Sequence, residues 1–162
     1  MARLRKFLSY CNYRLARAAP TNASRLFGLK RTPYVSIGHD CYLGPDVTIT
    51  PFGGGFFEDT PSREDKLLRF GDRVTISPNI TFLCSMHPEN SKLSKLYGKI
   101  EPIIIDDDAW IGSGAIIMAG VRVHTCSVVG AGAVVTKDVP ESTVVAGVPA
   151  RPIKQLRVDD HE

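Results

Sequence analysis

Cysteine is scarce and unpatterned in this chain. The 162 residues hold four, Cys11, Cys41, Cys84 and Cys126. None forms a C-x-x-C pair, and their spacings match no zinc site, so no metal is expected. Free thiols fit a reducing compartment, which makes the cytoplasm the expected location. Long apolar runs are missing too: none approaches the ~20 residues that span a bilayer. The N-terminus lacks the 7–15-residue apolar core of a secretory signal. Acidic side chains are absent before Asp40, whereas residues 1–31 carry eight basic ones. The remainder therefore has a net charge of −5 although the whole chain is +3. Basicity is an N-terminal property. No nucleic-acid-binding motif accompanies it, so no nucleic-acid partner is expected.

What the chain has in abundance is a six-residue period. Residues 105–140 divide into IDDDAW, IGSGAI, IMAGVR, VHTCSV, VGAGAV and VTKDVP. Each block opens on a β-branched aliphatic: Ile105, Ile111, Ile117, Val123, Val129, Val135. The fifth position is small or β-branched. The phase reappears at 37–54, led by Ile37, Leu43 and Ile49, and at 70–87, led by Phe70, Ile76 and Phe82. Units of 18 residues thus begin at 37, 70, 105 and 123. A fixed repeat decides the fold before local propensity does. Three short sides per unit predict a triangular prism of parallel strands, each stacked about 4.8 Å above its equivalent. The leading aliphatics fill the prism, and Gly, Asp or Ser near the corners permits the bends.

Two stretches interrupt the phase: 55–69, charged and with two aromatics, and 88–104, polar and with Pro88, Gly98 and Pro102. Insertions in a repeat fold leave as loops, often on the binding face. Residues 2–18 place Leu4, Phe7, Leu8, Cys11, Leu15 and Ala18 on one face of an amphipathic helix, ended by Pro20 and Thr21-Asn22. Two roles stand for it: a cap on the open end of the prism, or a peripheral contact with an anionic membrane, at its inner face. The expected division is 1–34 as a basic helical segment, 35–154 as the repeat domain and 155–162 as a tail.

The pattern resembles the hexapeptide-repeat acyltransferases, whose fold is a left-handed parallel β-helix. The resemblance covers about residues 35–154. It implies an all-β domain of four to five coils, closed by VVAGVPARPIKQL (144–156); a short helix is expected after Pro152. The hand comes from the resemblance, because general crossover rules favour the opposite one. The stretch SMHPENSKLSKLYGK, followed by DDDAWIGSGAIIMAGV, is similar to the sugar and xenobiotic acetyltransferase branch. There a His before a protruding loop deprotonates the acceptor hydroxyl. His87, followed by Pro88 and later by Trp110-Ile111-Gly112, matches that arrangement. An imidazole with a pKa near ~6.5 suits the task.

By the same resemblance, the backbone N–H of Ser113 donates to the oxyanion. The acyl donor is expected to be acetyl-CoA, used as a substrate; Gly112, Gly130 and Ala131 leave room for its close approach to the backbone, and the resemblance adds contacts from Trp110, Gly112, Ser113, Ala131, Thr136 and Lys137. Lys137, Arg151 and Lys154 are candidates for its phosphates. Ordinary structural roles remain open for several of these. Trp110 also fits a packing residue at a corner, and the glycines fit corner requirements. The family works as homotrimers with sites between subunits.

The acceptor is the least constrained part. PFGGGFFEDT (51–60) offers Phe56, Phe57 and Asp59 as sugar contacts, with core plugging by the two aromatics as the alternative. The layout is similar to acetyltransferases of surface-polysaccharide and O-antigen pathways, which points to an O-acetyltransferase acting on a sugar hydroxyl. Alternatives are an amino sugar, serine or a xenobiotic as acceptor. Further off are a gamma-type carbonic anhydrase, which needs a three-His zinc site, and a non-catalytic trimeric scaffold.

Overall fold

The computed structural model describes residues 11–14, 16–50, 66–86, 88, 91–96 and 98–157. Sixteen strands are defined among them, most only two or three residues long. Three sheets form three faces of a prism. The first face contains β1 (Val35–Ile37), β4 (Leu68–Phe70), β9 (Ile103–Ile105) and β12 (Arg122–Val123). The second contains β2 (Tyr42–Leu43), β5 (Thr75–Ile76), β10 (Trp110–Ile111), β13 (Val128–Val129), β15 (Thr143–Ala146) and β16 (Arg151–Gln155). The third contains β3 (Thr48–Thr50), β6 (Thr81–Leu83), β11 (Ile116–Met118) and β14 (Val134–Val135).

The registers follow the repeat. Ile37 pairs with Phe70, Phe70 with Ile105, and Ile105 with Val123, all in parallel. Leu43, Ile76, Ile111 and Val129 stack on the second face. Ile49, Phe82, Ile117 and Val135 stack on the third. Nearly every leading residue is buried, and so are the fifth-position side chains such as Val74, Ile80, Ala109 and Ala133. Each block therefore sends two side chains inward, which is why both positions are apolar or small.

The corners obey a further rule. The fourth residue of the block adopts positive φ at Asp40, Asp46, Arg73, Asn79, Asp108, Gly114, Gly120, Cys126 and Gly132. Glycine, Asp and Asn are the residues that visit this region at least cost, and they supply most of the positions. Arg73 is held there by a two-pronged bond to Asp108 of the next coil, with both N···O distances 2.7 Å.

The open end of the first coil is closed by side chains from helices. Residues 11–14 and 16–18 are helical. Tyr13 Oη donates to Val47 O and accepts from Ile49 N. A second helix, α1 (Asn22–Lys30), begins at Thr21 with a capping box to Ser24. Asn22 donates to Cys41 O and accepts from Leu43 N, and buried Arg25 donates to Leu43 O and Ala19 O. These contacts satisfy backbone groups that a further coil would otherwise pair, as buried polar groups require. No helix among the described residues is long and apolar enough to cross a membrane.

Several expectations need correction. Thr21-Asn22 starts a helix instead of only ending one, because the Thr21 side chain caps α1. Among the described residues of the first helix the buried side chains are Tyr13 and Ala16, whereas Ala18 is exposed; Leu4, Phe7, Leu8 and Leu15 lie outside the described residues. Leu67 and Leu68 are already in the core, so the chain is back on the prism before residue 70. The sixth block loses phase inside itself: Val139 bridges Val123, and Val145 pairs with Val129, a step of 16 residues where 18 was expected. The corner 136–138 is shortened, and Asp138 turns back to accept from Arg122 N at 2.8 Å. Finally, residues 151–155 form strand β16, antiparallel to β15, in place of the expected short helix. Proline cannot donate to a ladder, and the register shifts beside Pro152, with Val145 opposite Pro152 and Val144 opposite Lys154.

Candidate active site

The second face turns into the third at a corner whose inner lining is backbone. In each block here the third residue occupies the same column: Pro45, Pro78, Ser113 and Ala131. Proline carries no N–H, so the first two coils offer no donor. Ser113 and Ala131 do, and among the described residues no acceptor takes either N–H. Both residues are exposed. The Ser113 carbonyl is fixed by Gly132 N at 2.9 Å, and Gly114 N donates to Pro78 O at 3.1 Å. Both bonds hold the peptide that follows the free donor; before it, Gly112 N donates to Val129 O at 2.8 Å, and Gly112 O accepts from Ala115 N at 3.3 Å.

Gly112 makes this geometry possible. A Cβ there would lie 2.7 Å from Ala131 N and Val129 O. Gly130 is similarly tight, with Ala146 Cβ at 2.9 Å from the position its own Cβ would take. Trp110 stands just before on β10. Its neighbour Ile111 points into the core, so alternation sends the indole outward, where it is 52% exposed. The indole N–H donates to Ser77 Oγ at 3.0 Å. Ser77 was not singled out in the sequence; its signal is the block position it shares with Gly112, one coil below.

The expected donor-binding residues fall into three groups. Trp110, Gly112, Ser113, Gly130 and Ala131 gather on the second face and its corner with the third. Arg151 and Lys154 sit on β16, three strand spacings from β10 in the same sheet, or about 15 Å. Both side chains are exposed. Thr136 and Lys137 are exposed as well, but they lie at the next corner, beyond the far edge of the third face. Both insertions leave the prism at that same corner, after β3 and after β6–β7. His87, Phe56, Phe57 and Asp59 lie outside the described residues.

The second insertion has a structured foot. β7 (Ser85–Met86) pairs antiparallel with β8 (Lys99–Ile100), and a 3-10 turn spans Lys92–Lys95. Glu101 N donates to Cys84 O at 3.1 Å, and Lys99 pairs with Glu101 at 2.7 Å. At the remaining corner, the Arg73 guanidinium hydrogen-bonds Asp108 and holds its carboxyl below the usual range. Arg122, on the first face, is joined to Asp106 at 2.7 Å. Among the described residues, no group of three His, Cys, Asp or Glu side chains is placed to hold a metal ion.

Comparison with known proteins agrees with this architecture. A family model described as bacterial transferase hexapeptide (six repeats) matches residues 102–137. The galactoside O-acetyltransferase of Escherichia coli K12 is 31% identical over 158 residues, covering 91% of this chain and 77% of the relative. The galactoside O-acetyltransferase of Lactococcus lactis is 28% identical over 149 residues, covering 86% and 72%. Among solved structures, a hexapeptide-repeat acetyltransferase from Vibrio cholerae superposes with a TM-score of 0.70 at 24% identity, covering 96% of this chain and 94% of that one. The polySia-specific acetyltransferase NeuO superposes with a TM-score of 0.60 at 31% identity, covering 79% and 56%. The prism is a left-handed parallel β-helix, the scaffold of an acyltransferase. The chain belongs to the hexapeptide-repeat acetyltransferase family.

Proposed function

We propose that this chain is an acetyl-CoA-dependent O-acetyltransferase whose acceptor is a sugar hydroxyl, working in surface-polysaccharide or lipopolysaccharide assembly in the cytoplasm. The observation that carries the reading is the pair of unclaimed N–H groups at Ser113 and Ala131, one coil apart and flanked by exposed Trp110. A thioester carbonyl needs a donor for the charge that develops in its tetrahedral intermediate. The Ser113 N–H is such a donor and is already fixed in place. The Ala131 N–H suits an amide carbonyl of the pantetheine arm, which is long and narrow enough to run along the corner. Arg151 and Lys154 supply cations further along the same sheet for phosphate groups.

His87 is the general base of this reading. It takes the proton from the acceptor hydroxyl as the oxygen attacks the thioester carbon. The C–S bond then breaks, and the proton passes to the departing thiolate, leaving the acetyl ester and free CoA. No covalent acyl-enzyme is required. The acceptor would meet this base beside the loop that carries Phe56, Phe57 and Asp59.

A homotrimer is the assembly that fits this reading. Ser113 and the end of β7, after which His87 comes, are at different corners of one prism. Five residues of extended chain along the third face span about 16 Å, too far for one attacking oxygen to touch both groups. Two prisms side by side bring one corner of each together, and cyclic symmetry repeats the site three times. Thr136 and Lys137, at the same corner as the insertions, would then reach the donor from the neighbouring subunit. The galactoside O-acetyltransferase relatives support a sugar acceptor.

The test is a thiol-release assay with acetyl-CoA over a panel of sugars and nucleotide sugars, using the wild type and His87→Ala. Acceptor-dependent release that falls at least ~10²-fold in the variant is expected for loss of a general base. Wild-type turnover by the variant would sink the mechanism, and release confined to serine or to amino sugars would replace the acceptor class.

A further inference from the structure

The second insertion departs from the prism at Ser85, and the group that holds its departure point belongs to the first coil. Thr50 Oγ1 donates to Ser85 O at 3.0 Å and accepts from Ser85 N at 3.1 Å. One hydroxyl thus satisfies both backbone groups of a single residue. Ser85 has left the parallel ladder, which ends at the Thr50–Leu83 pair. On its other flank the carbonyl of Cys84 is taken by Glu101 N. Ser85 itself is buried, and its own Oγ has no hydrogen-bond partner among the described residues. What is fixed at this point is therefore the main chain.

Two residues after Ser85 comes His87. Thr50 is also the last residue of β3 before the first insertion, the one that carries Phe56, Phe57 and Asp59. A single side chain therefore ties the starting points of both insertions, 35 residues apart in sequence. We propose that Thr50 is a positioning residue: by clamping the Ser85 peptide it sets the point from which the His87 base is presented to the acceptor. The inference rests on His87 being the base. Its chemistry is indirect, because Thr50 acts through the backbone and moves no proton. Misplacing a catalytic group by about 1 Å can cost ~10²-fold in rate, so a clamp two residues away has a measurable kinetic role. Valine is the right probe, since it keeps the shape of threonine and removes the hydroxyl. Serine restores the hydroxyl without the methyl group.

Thr50→Val is expected to lower kcat about 10- to 100-fold with KM for acetyl-CoA unchanged, while Thr50→Ser stays close to the wild type. In a His87→Ala background, Thr50→Val should add nothing, because the group it positions is gone. Native-state hydrogen exchange supplies a second readout: the Ser85 amide should lose protection in Thr50→Val while Ile117 in the core keeps it. Wild-type kcat in Thr50→Val, with His87→Ala inactive, would overturn the positioning role and leave the base intact. An equal loss in both backgrounds, or lost protection throughout the prism, would make Thr50 a residue of general stability and overturn it as well. Full activity of His87→Ala would instead remove the reading on which the inference rests.

Discussion

Trp110 and Ser77 are joined across adjacent coils by an indole N–H to hydroxyl bond of 3.0 Å. The ring is half in solvent, so this bond is what fixes its orientation beside the Ser113 peptide. If the indole lines the donor site, Ser77→Ala leaves its contact area but loosens its aim. A neutral hydrogen bond contributes about 0.5–1.5 kcal/mol. KM for acetyl-CoA should therefore rise about 2- to 13-fold, with kcat changed less, and Trp110→Ala should raise it further. Steady-state kinetics with varied acetyl-CoA checks both. An unchanged KM in Trp110→Ala would return the ring to a packing role.

The prism was legible because its physics is periodic. A side chain that must point inward every sixth residue leaves an apolar mark that no insertion erases, and Ile37, Phe70, Ile105 and Val123 align on that mark alone. The positive-φ rule was also written in the chain, as Asp, Asn and Gly at the fourth position, but Arg73 and Cys126 blur it. The candidate site was legible only where it shares the repeat. Trp110 to Ser113 stand out because they restart the phase after an insertion. Ser77 offers only the block position it shares with Gly112, and Thr50 no local mark, because their contacts lie 33 and 35 residues away. The C-terminal strand was missed for a related reason. Its partner β15 sits on a shortened coil, and no local pattern in 151–155 reports that an open sheet end is waiting.

The helical cap makes a stability prediction. Tyr13 Oη bridges Val47 O and Ile49 N at 3.2 and 2.9 Å, in a buried setting. Tyr13→Phe keeps the ring and strands both backbone groups. A buried unsatisfied group costs about 1–3 kcal/mol, so the variant should melt roughly 2–12 °C lower by the scaling for domains of this size. Acetyl transfer at low temperature should be unaffected, because the cap is far from Ser113 along the prism. Differential scanning calorimetry together with a 20 °C activity assay checks the two halves of this statement. A melting point equal to the wild type would mean that water replaces the hydroxyl at the first coil.

Cys84 makes a prediction about pH. Its thiol is buried and donates to Leu67 O at 3.3 Å, and burial pushes its pKa up from 9.0 to about 12. The folded chain keeps this proton at a pH where the unfolded chain releases it. The contribution is therefore fully present below pH 9 and is lost as pH rises from 9 toward 12, by up to ~1.4 kcal/mol per pH unit. Urea unfolding at pH 8 and pH 10 should show wild type losing more stability over that interval than Cys84→Ala. Equal losses would exclude the thiol as the source. In the folded state at pH 8, Cys84 should also resist thiol reagents.

Gly112 and Gly132 lie on neighbouring coils of the same corner, and they should fail in different ways when changed to alanine. At Gly112 a Cβ would press on Ala131 N and Val129 O at 2.7 Å, which are backbone atoms that cannot swing aside. Overpacking of this kind costs typically ~1–3 kcal/mol, and the strain falls on the strand that presents the Ser113 N–H. Gly112→Ala should therefore lose kcat as well as stability. At Gly132 no atom lies within 4 Å of the added Cβ, but φ is +68°. The cost there is the left-handed backbone itself, about 1–2 kcal/mol, and Asn should be tolerated better than Ala because Asn visits this region more readily. Gly132→Ala should lower the melting temperature yet leave the Ser113 donor in place, so its kcat should remain within a few-fold of wild type. Unfolding curves paired with kcat for Gly112→Ala, Gly132→Ala and Gly132→Asn separate the two causes. Equal kcat losses in the two alanine variants would mean that the corner responds as one body and that the close approach at Gly112 has no special part in holding the Ser113 N–H.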